Sequence, residues 1–197
     1  LKANAPDLGA NPEMLAFVQN YTDMGFLSII LFLFIGAILT MIVQASAATM
    51  AITLIMCANG WIDYHLGVAL VLGENIGTTI TANLAALTGN TQSRRAALAH
   101  LVFNIFGVMW VLVLFYPFTA AVSWFVTDVM NISDPAVAVS FKLAAFHTAF
   151  NISNTFIMIW FVGLIEKTVC FLIKGKKDED EEYRLRYITG GMLSTAE

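Results

Sequence analysis

The stretch that decides the fold runs from Val71 to Leu87 and reads VLGENIGTTITANLAAL. It lies in a strongly apolar part of the chain, yet it contains one glutamate, two asparagines, two glycines and three threonines. Because the interior of a membrane penalises unsatisfied polar groups, polar side chains clustered in such a run face each other, a cavity or an ion. The stretch therefore predicts a polar site inside an apolar protein.

The composition of the whole chain predicts a membrane protein. Of its 197 residues 58% are hydrophobic and only 12% are charged, whereas soluble domains carry about 25% charged residues. No charged residue occurs between Met24 and Ile62. The predicted fold class is an all-α, polytopic helical membrane protein, placed in the cell membrane with several passes.

Other classes of protein find little support in the sequence. The formal net charge of -4 comes largely from the acidic run DEDEE near the end of the chain, so nucleic acid is not a predicted partner. Cys57 and Cys170 lie in apolar runs without metal-ligand spacing. Since the chain carries no phosphate-binding loop, zinc-protease motif or nucleophile elbow, we predict that it is not an enzyme.

Three regions follow from the distribution of charge and hydropathy. We expect residues 1–23 to form a surface loop and an interfacial helix, and residues 24–175 to form the transmembrane part. Residues 176–197 are polar and are expected to begin a soluble helical region. Because the last residues, LSTAE, stop within an amphipathic pattern, we expect the chain to be part of a longer polypeptide.

The long uncharged run has its centre close to Gln44. Each half is near the length of about 20 residues that spans a bilayer, so the run is either two spans or a re-entrant hairpin whose tip lies within the membrane. Its turn, VQASAATM, lacks the glycine, proline or charge expected of a surface loop. Irregular backbone at membrane depth is tolerated where protein or water covers it, which favours the hairpin, with Gln44, Ser46 and Thr49 at its tip.

The quoted stretch itself predicts an interrupted helix. Asn75, Thr79 and Asn83 are spaced by four and would line one side of a helix, while Gly73 and Gly77 weaken that helix where the polar residues begin. A helix broken between Gly73 and Thr79 would expose backbone groups that can hold an ion, as in secondary transporters. Neutral hydroxyl, amide and carbonyl oxygens suit a weakly held monovalent cation such as sodium.

A different interpretation explains the same residues by helix packing. Threonines can donate to a carbonyl of the preceding turn, and glycines permit two helices to approach closely. For Glu74, a direct role and a simple pairing at the rim of a cavity are equally compatible with the sequence.

A short pattern occurs twice, as HLVFNI at 100–105 and HTAFNI at 147–152. In each copy the histidine and the asparagine are four residues apart and would share one face of a helix. The repetition predicts two similarly built helices, as in transporters with internal repeats. We interpret His100 and His147 as interhelical hydrogen-bonding residues rather than proton carriers.

Four motifs, taken in order, resemble the sodium-dependent phosphate cotransporter family, which includes the type II animal cotransporters and many bacterial proteins. They cover about residues 24–175 and are QASAAT at 44–49, GENIGTTITANLAAL at 73–87, RRAALAHLVFNIFGV at 94–108 and FHTAFNI at 146–152.

The resemblance implies a fold and a site. It implies half of an inverted-repeat transporter, in which sodium and phosphate bind between a hairpin tip and a partly unwound helix. The partners would be inorganic phosphate, the lipid bilayer, the other repeat of the same polypeptide and, in a homo-oligomer, further copies of it. Sodium would be the coupling ion, with no other cofactor. The implied binding residues are Gln44, Ser46, Thr49, Asn75, Thr78 and Thr79. All of them except Thr49 are implied to be sodium ligands.

One departure from the family pattern concerns the hairpin. The family motif is Gln-Ser-Ser-Ser-Ala-Thr, but Ala45 and Ala47 replace two of its serines here, which removes two hydroxyls from the implied site. The leading hypothesis is sodium-coupled symport of inorganic phosphate. The alternative is a membrane sensor that does not transport phosphate but reports it to a C-terminal domain resembling the phosphate-uptake regulator; the two alanines and the polar tail motivate it.

Overall fold

The structure of the protein, a computed structural model, describes residues 21–22 and 24–175. The predicted soluble region at 176–197 and nearly all of the predicted surface region at 1–23 lie outside the described residues. The described part is helical, without a strand, which confirms the all-α prediction. Its helices are α1 (Phe26–Val43), α2 (Ser46–Ala58), α3 (Tyr64–Ala86), α4 (Thr91–Val113), α5 (Phe115–Trp124), α6 (Pro135–Met158) and α7 (Val162–Leu172). A π-helical turn (Phe125–Val129) follows α5, and a 3-10 turn (Ile159–Phe161) joins α6 to α7.

Three helical stretches are long and apolar enough to cross a membrane. They are Phe26–Val43, Thr91–Val113 and the combined stretch Pro135–Leu172. These stretches expose many large apolar side chains, as expected of surfaces that meet lipid or another apolar partner. They agree with the prediction of a membrane protein.

Helix α3 is central. All nine residues from Leu66 to Glu74 are buried, and α1, α2, α4 and α6 all pack against it. A helix that is buried on every side needs no apolar stripe. In the polar stretch that follows, Gly77 and Thr79 are also buried, whereas Asn75, Thr78 and Asn83 are half-buried.

The contact between α1 and α3 is the most extensive between any two of the described helices, and it depends on glycine. A Cβ added at Gly36 would meet the carbonyl oxygen of Leu70, and one added at Gly73 would meet the carbonyl oxygen of Leu33. Gly77 is equally tight against Ala37. Small residues at such positions let helix backbones touch, which is the common way of packing helices in membranes.

The prediction of an interruption between Gly73 and Thr79 is wrong. Helix α3 is continuous from Tyr64 to Ala86. Asn75 and Thr78 each donate to the backbone carbonyl four residues earlier, at 2.9 Å, and Thr79 donates to the carbonyl three residues earlier at 2.7 Å. Gly73 and Gly77 allow close contact with α1 and do not unwind the helix. This agrees with the interpretation of these residues by helix packing.

Helices α1 and α2 form a hairpin with a two-residue turn. Gln44 adopts the left-handed conformation, with φ 56° and ψ 20°, and Ala45 is extended. Helix α2 has 13 residues, so at 1.5 Å per residue it is about 20 Å long, shorter than the hydrocarbon core of about 30 Å. That length suits a re-entrant element, although the position of the hairpin tip within a membrane stays a prediction.

A buried asparagine joins α4 to α6. The Asn154 side chain is fully buried; its Oδ1 accepts from Trp110 Nε1 at 3.2 Å, and its Nδ2 donates to the carbonyl of Phe103 at 3.0 Å. The amide lies directly against Gly107 of α4. This contact fixes the two helices that carry the repeated His-x-x-Phe-Asn-Ile pattern, and so positions both copies.

Candidate functional site

A cavity of about 320 Å³ lies where α2, α3, α4 and α6 meet. Polar side chains from all four helices converge on it. Its lining residues are Ser46, Ala47, Met50, Glu74, Asn75, Thr78, His100, Phe103, Asn104, His147 and Asn151.

The residues implied by the family resemblance divide into two groups. Ser46, Asn75 and Thr78 line the cavity. Thr49 and Thr79 are fully buried outside it, and their hydroxyls donate to carbonyls of their own helices at 3.1 and 2.7 Å. Gln44 is exposed at the turn of the hairpin and does not line the cavity. Of the predicted hairpin residues, Ser46 is therefore the one that lines the cavity together with the α3 polar stretch.

The two copies of the repeated pattern have the same local structure. Asn104 Nδ2 donates to the carbonyl of His100 at 3.1 Å, and Asn151 Nδ2 donates to the carbonyl of His147 at 2.8 Å. This confirms the predicted pair of similarly built helices. All four residues line the cavity, a role that sequence reasoning did not give them; the repetition itself was the signal for it.

Three asparagines of the cavity share one orientation. Asn75, Asn104 and Asn151 each donate Nδ2 to a backbone carbonyl four residues earlier. A backbone carbonyl oxygen can only accept a hydrogen bond, so the NH₂ group of each asparagine side chain faces the backbone of its own helix. The side-chain oxygen Oδ1 therefore points away from that backbone. The arrangement offers amide oxygens from α3, α4 and α6, which are ligands that hard cations prefer.

The start of α2 offers the opposite polarity. Helices α3, α4 and α6 begin with side-chain caps. Asp63, Asn90 and Asp134 each accept a hydrogen bond from the backbone N–H three residues later in the chain, at 2.8, 2.8 and 2.9 Å respectively. The residue before α2 is Ala45, which has no side-chain oxygen to cap the helix. Ser46 and Ala47, the first residues of α2, line the cavity. Uncapped N–H groups and the positive end of a helix dipole favour an anion.

Glu74 gives the cavity a carboxyl group. Its side chain is only 3% exposed, and its Oε1 accepts from Thr53 Oγ1 of α2 at 2.7 Å. The sequence led us to expect a site built of neutral oxygens alone. The structure adds a carboxyl group to them. No lysine or arginine is among the described residues that line this cavity.

A larger, mostly apolar cavity of about 810 Å³ lies between α4 and α7. It shares His100 and Phe103 with the central cavity, so these two side chains stand between the two spaces. Arg95 is at its other end and donates Nε to the carbonyl of Ile173 at 3.0 Å. Because polar groups from four helices meet in the smaller cavity, we take that one as the candidate site.

Restoring the two family serines is expected to have different effects at the two positions. Ala45→Ser places a hydroxyl at the N-cap of α2 and is expected to stabilise the folded protein by about 0.5–2 kcal/mol. Ala47→Ser adds a hydroxyl to the cavity wall and is expected to strengthen ion or phosphate binding. Thermal unfolding with and without sodium and phosphate measures both effects. A gain in affinity from Ala45→Ser with none from Ala47→Ser would contradict the geometry.

Comparison with known proteins identifies related sequences. A family described as "Na+/Pi-cotransporter" matches residues 9–193. The "Uncharacterized protein YqeW" of Bacillus subtilis (strain 168) is 35% identical over 144 residues, which are 73% of this chain and 44% of that protein. The "Putative inorganic phosphate export protein YjbB" of Escherichia coli (strain K12) is 26% identical over 99% of this chain and 33% of its own length.

An animal protein is also similar over a shorter region. The "Sodium-dependent phosphate transport protein 2B" of Rattus norvegicus is 41% identical over 97 residues, which are 47% of this chain and 13% of that protein. The chain thus spans less than half the length of each of these relatives. No solved structure matches it.

Proposed function

Because the chain belongs to the Na+/Pi-cotransporter family, we propose that it is part of a multi-pass cell-membrane protein that moves inorganic phosphate together with sodium. The protein is a transporter and not an enzyme. Phosphate and sodium share the cavity between α2, α3, α4 and α6, and the rest of the site comes from the other repeat of the longer polypeptide.

The observation that carries the proposal is the residue composition of the cavity wall. Its described lining contains Glu74 but no lysine or arginine. Two like unit charges about 4 Å apart repel by about 4 kcal/mol at an effective dielectric constant of 20. Phosphate therefore needs a cation beside it, and sodium supplies that charge. A site of this composition favours cotransport over the binding of phosphate alone.

The two ions find different partners within the cavity. Ser46, Asn75 and Thr78 offer oxygens to sodium, in keeping with the family resemblance, and the amide oxygens of Asn104 and Asn151 extend this set. The uncapped start of α2 favours the phosphate oxygens. We assign no ligand to Thr49 or Thr79, because both are buried outside the cavity and bonded to backbone.

The direction of transport is a separate question on which the relatives' names differ. The animal relatives are named for sodium-dependent phosphate transport, whereas the Escherichia coli relative is named for putative phosphate export. Symport with sodium moving down an inward gradient drives uptake, and this is the function we propose. Export is the second candidate, because the protein named for it aligns with 99% of this chain.

Flux measurements on the full-length protein test the proposal. Proteoliposomes are given labelled phosphate inside or outside, with a sodium gradient in either direction and a matched potassium gradient as control. We expect phosphate to accumulate on the side toward which sodium flows. Equal flux in sodium and potassium would overturn the coupling, and export independent of the sodium gradient would favour the second candidate. Phosphate binding without flux would favour the sensor.

A further inference from the structure

We infer that the Glu74 carboxylate holds the sodium ion in the proposed cavity and that its charge excludes phosphate when sodium is absent. The inference rests on the proposed function and deepens it, since it assigns the charge that links the two ions to a residue that the family resemblance did not include among the ligands.

The first observation is the position of Glu74. It lies in the fully buried part of the central helix and is itself 3% exposed, yet it reaches the cavity wall. Such burial is costly for a carboxylate unless a cation or several donors compensate it. Thr53 donates one hydrogen bond, to Oε1. Among the described residues of the cavity wall, the only other titratable groups are His100 and His147.

The second observation is the set of neutral side-chain oxygens that share the cavity with Glu74. Asn75 is the next residue, and the hydroxyl of Thr78 is held over the carbonyl of Glu74 itself at 2.9 Å. Asn104 and Asn151 turn their amide oxygens away from their own helices, as described above. One carboxylate with several neutral oxygens is the ligand chemistry of a hard cation rather than of an anion.

The third step is electrostatic. With Glu74 ionised and no cation bound, the cavity is negatively charged, so it repels phosphate. A sodium ion on the carboxylate neutralises the wall, and the uncapped start of α2 can then attract phosphate oxygens. Replacing the carboxylate with an amide should therefore weaken sodium binding and also relieve the exclusion of phosphate in sodium-free solution.

The experiment uses the full-length protein with the isosteric change Glu74→Gln. The glutamine Oε1 can still accept from Thr53, so the contact between α2 and α3 is kept. Sodium binding is measured without phosphate, as the rise in thermal unfolding temperature during a sodium titration in choline-balanced buffer. Phosphate binding is measured by calorimetry in sodium and in choline. We expect the apparent sodium affinity to fall by tenfold or more, and the ratio of phosphate affinities in sodium and choline to shrink by a similar factor.

Two further variants complete the test. Glu74→Asp keeps the charge but shifts it by one methylene, and is expected to retain sodium binding at an intermediate affinity. Glu166→Gln removes an exposed carboxylate of α7 and is expected to leave both affinities unchanged. If Glu74→Gln fails to fold, the comparison of Glu74→Asp with wild type decides, because a sodium ligand cannot be displaced without effect.

The outcomes separate the inference from the proposed function. Wild-type sodium affinity in Glu74→Gln, or in Glu74→Asp if the glutamine variant does not fold, overturns the inference even when phosphate transport is sodium-coupled. If the wild-type protein moves no phosphate under any gradient, the proposed function fails, but the sodium titration still shows whether Glu74 holds the ion.

Discussion

Gly73→Ala is expected to lower the stability of the folded protein, by at least about 1–3 kcal/mol, the usual cost of overpacking. The added methyl group would meet the carbonyl oxygen of Leu33 and the backbone nitrogen of Ala37 in α1. These are backbone atoms within a helix, so they cannot move aside as a flexible side chain would. Thermal unfolding in detergent, followed by the elution profile of the heated protein, measures the change.

The sign of the stability change in Gly73→Ala also separates the two interpretations of the sequence, an interrupted helix and close helix packing. If Gly73 marked a weak point in a helix, alanine would stabilise the protein by about 1 kcal/mol. Gly163→Ala in α7 is the matched control, because no atom lies within 4 Å of its added Cβ; it is expected to have no effect or to raise stability slightly. Equal unfolding temperatures for Gly73→Ala and wild type would contradict the close contact of α1 and α3.

Asn75→Leu is expected to lower the apparent sodium affinity of transport by roughly ten- to more than a hundredfold. A lost hydrogen bond to a charged group costs about 1.5–3 kcal/mol, and we expect a lost amide ligand to cost a similar amount. The substitution also leaves an apolar side chain where an ion must sit. Asn75 is only half-buried and its side chain donates to the backbone of its own helix, so the protein should still fold. Sodium titration of phosphate flux in matched lipid measures the effect.

Thr81→Val is the control for Asn75→Leu. Thr81 is on the same helix and donates to the carbonyl of Thr78 at 2.8 Å, but it does not line the cavity. We expect the sodium dependence of phosphate flux in the Thr81→Val variant to match that of the wild-type protein. If Asn75→Leu also keeps the wild-type sodium dependence, the polar residues of this stretch contribute to helix packing and not to ion binding.

Much of the architecture could be predicted because burial in a membrane protein leaves a clear pattern in the sequence. The absence of charge between Met24 and Ile62 predicted apolar helices, and the hydrogen-bonding capacity around Asn75 predicted a covered site. Both follow from the cost of placing polar groups in an apolar environment, a cost that does not depend on the details of packing.

The state of the α3 backbone could not be predicted in the same way. Glycine lowers helix propensity and also permits close helix contact, and the sequence does not say which use applies at Gly73. That depends on whether another backbone lies opposite, which here is the backbone of α1 at Leu33. Likewise, the pattern placed Gln44 and Ser46 together at a turn but did not indicate which of the two lines the cavity; in the structure it is Ser46.

The glycine contacts between α1 and α3 also limit how the protein can move. Alternating access requires one group of helices to shift against another. Gly73 and Gly77 are about one helical turn apart, roughly 5.4 Å, and both lie directly against the α1 backbone. Because these contacts are between backbones, we expect the two helices to move together. At the boundaries of α3 with α2 and α6, by contrast, a Cβ added at Gly67 would meet the side chains of Cys57 and Leu143, which can change rotamer, so we expect relative motion there.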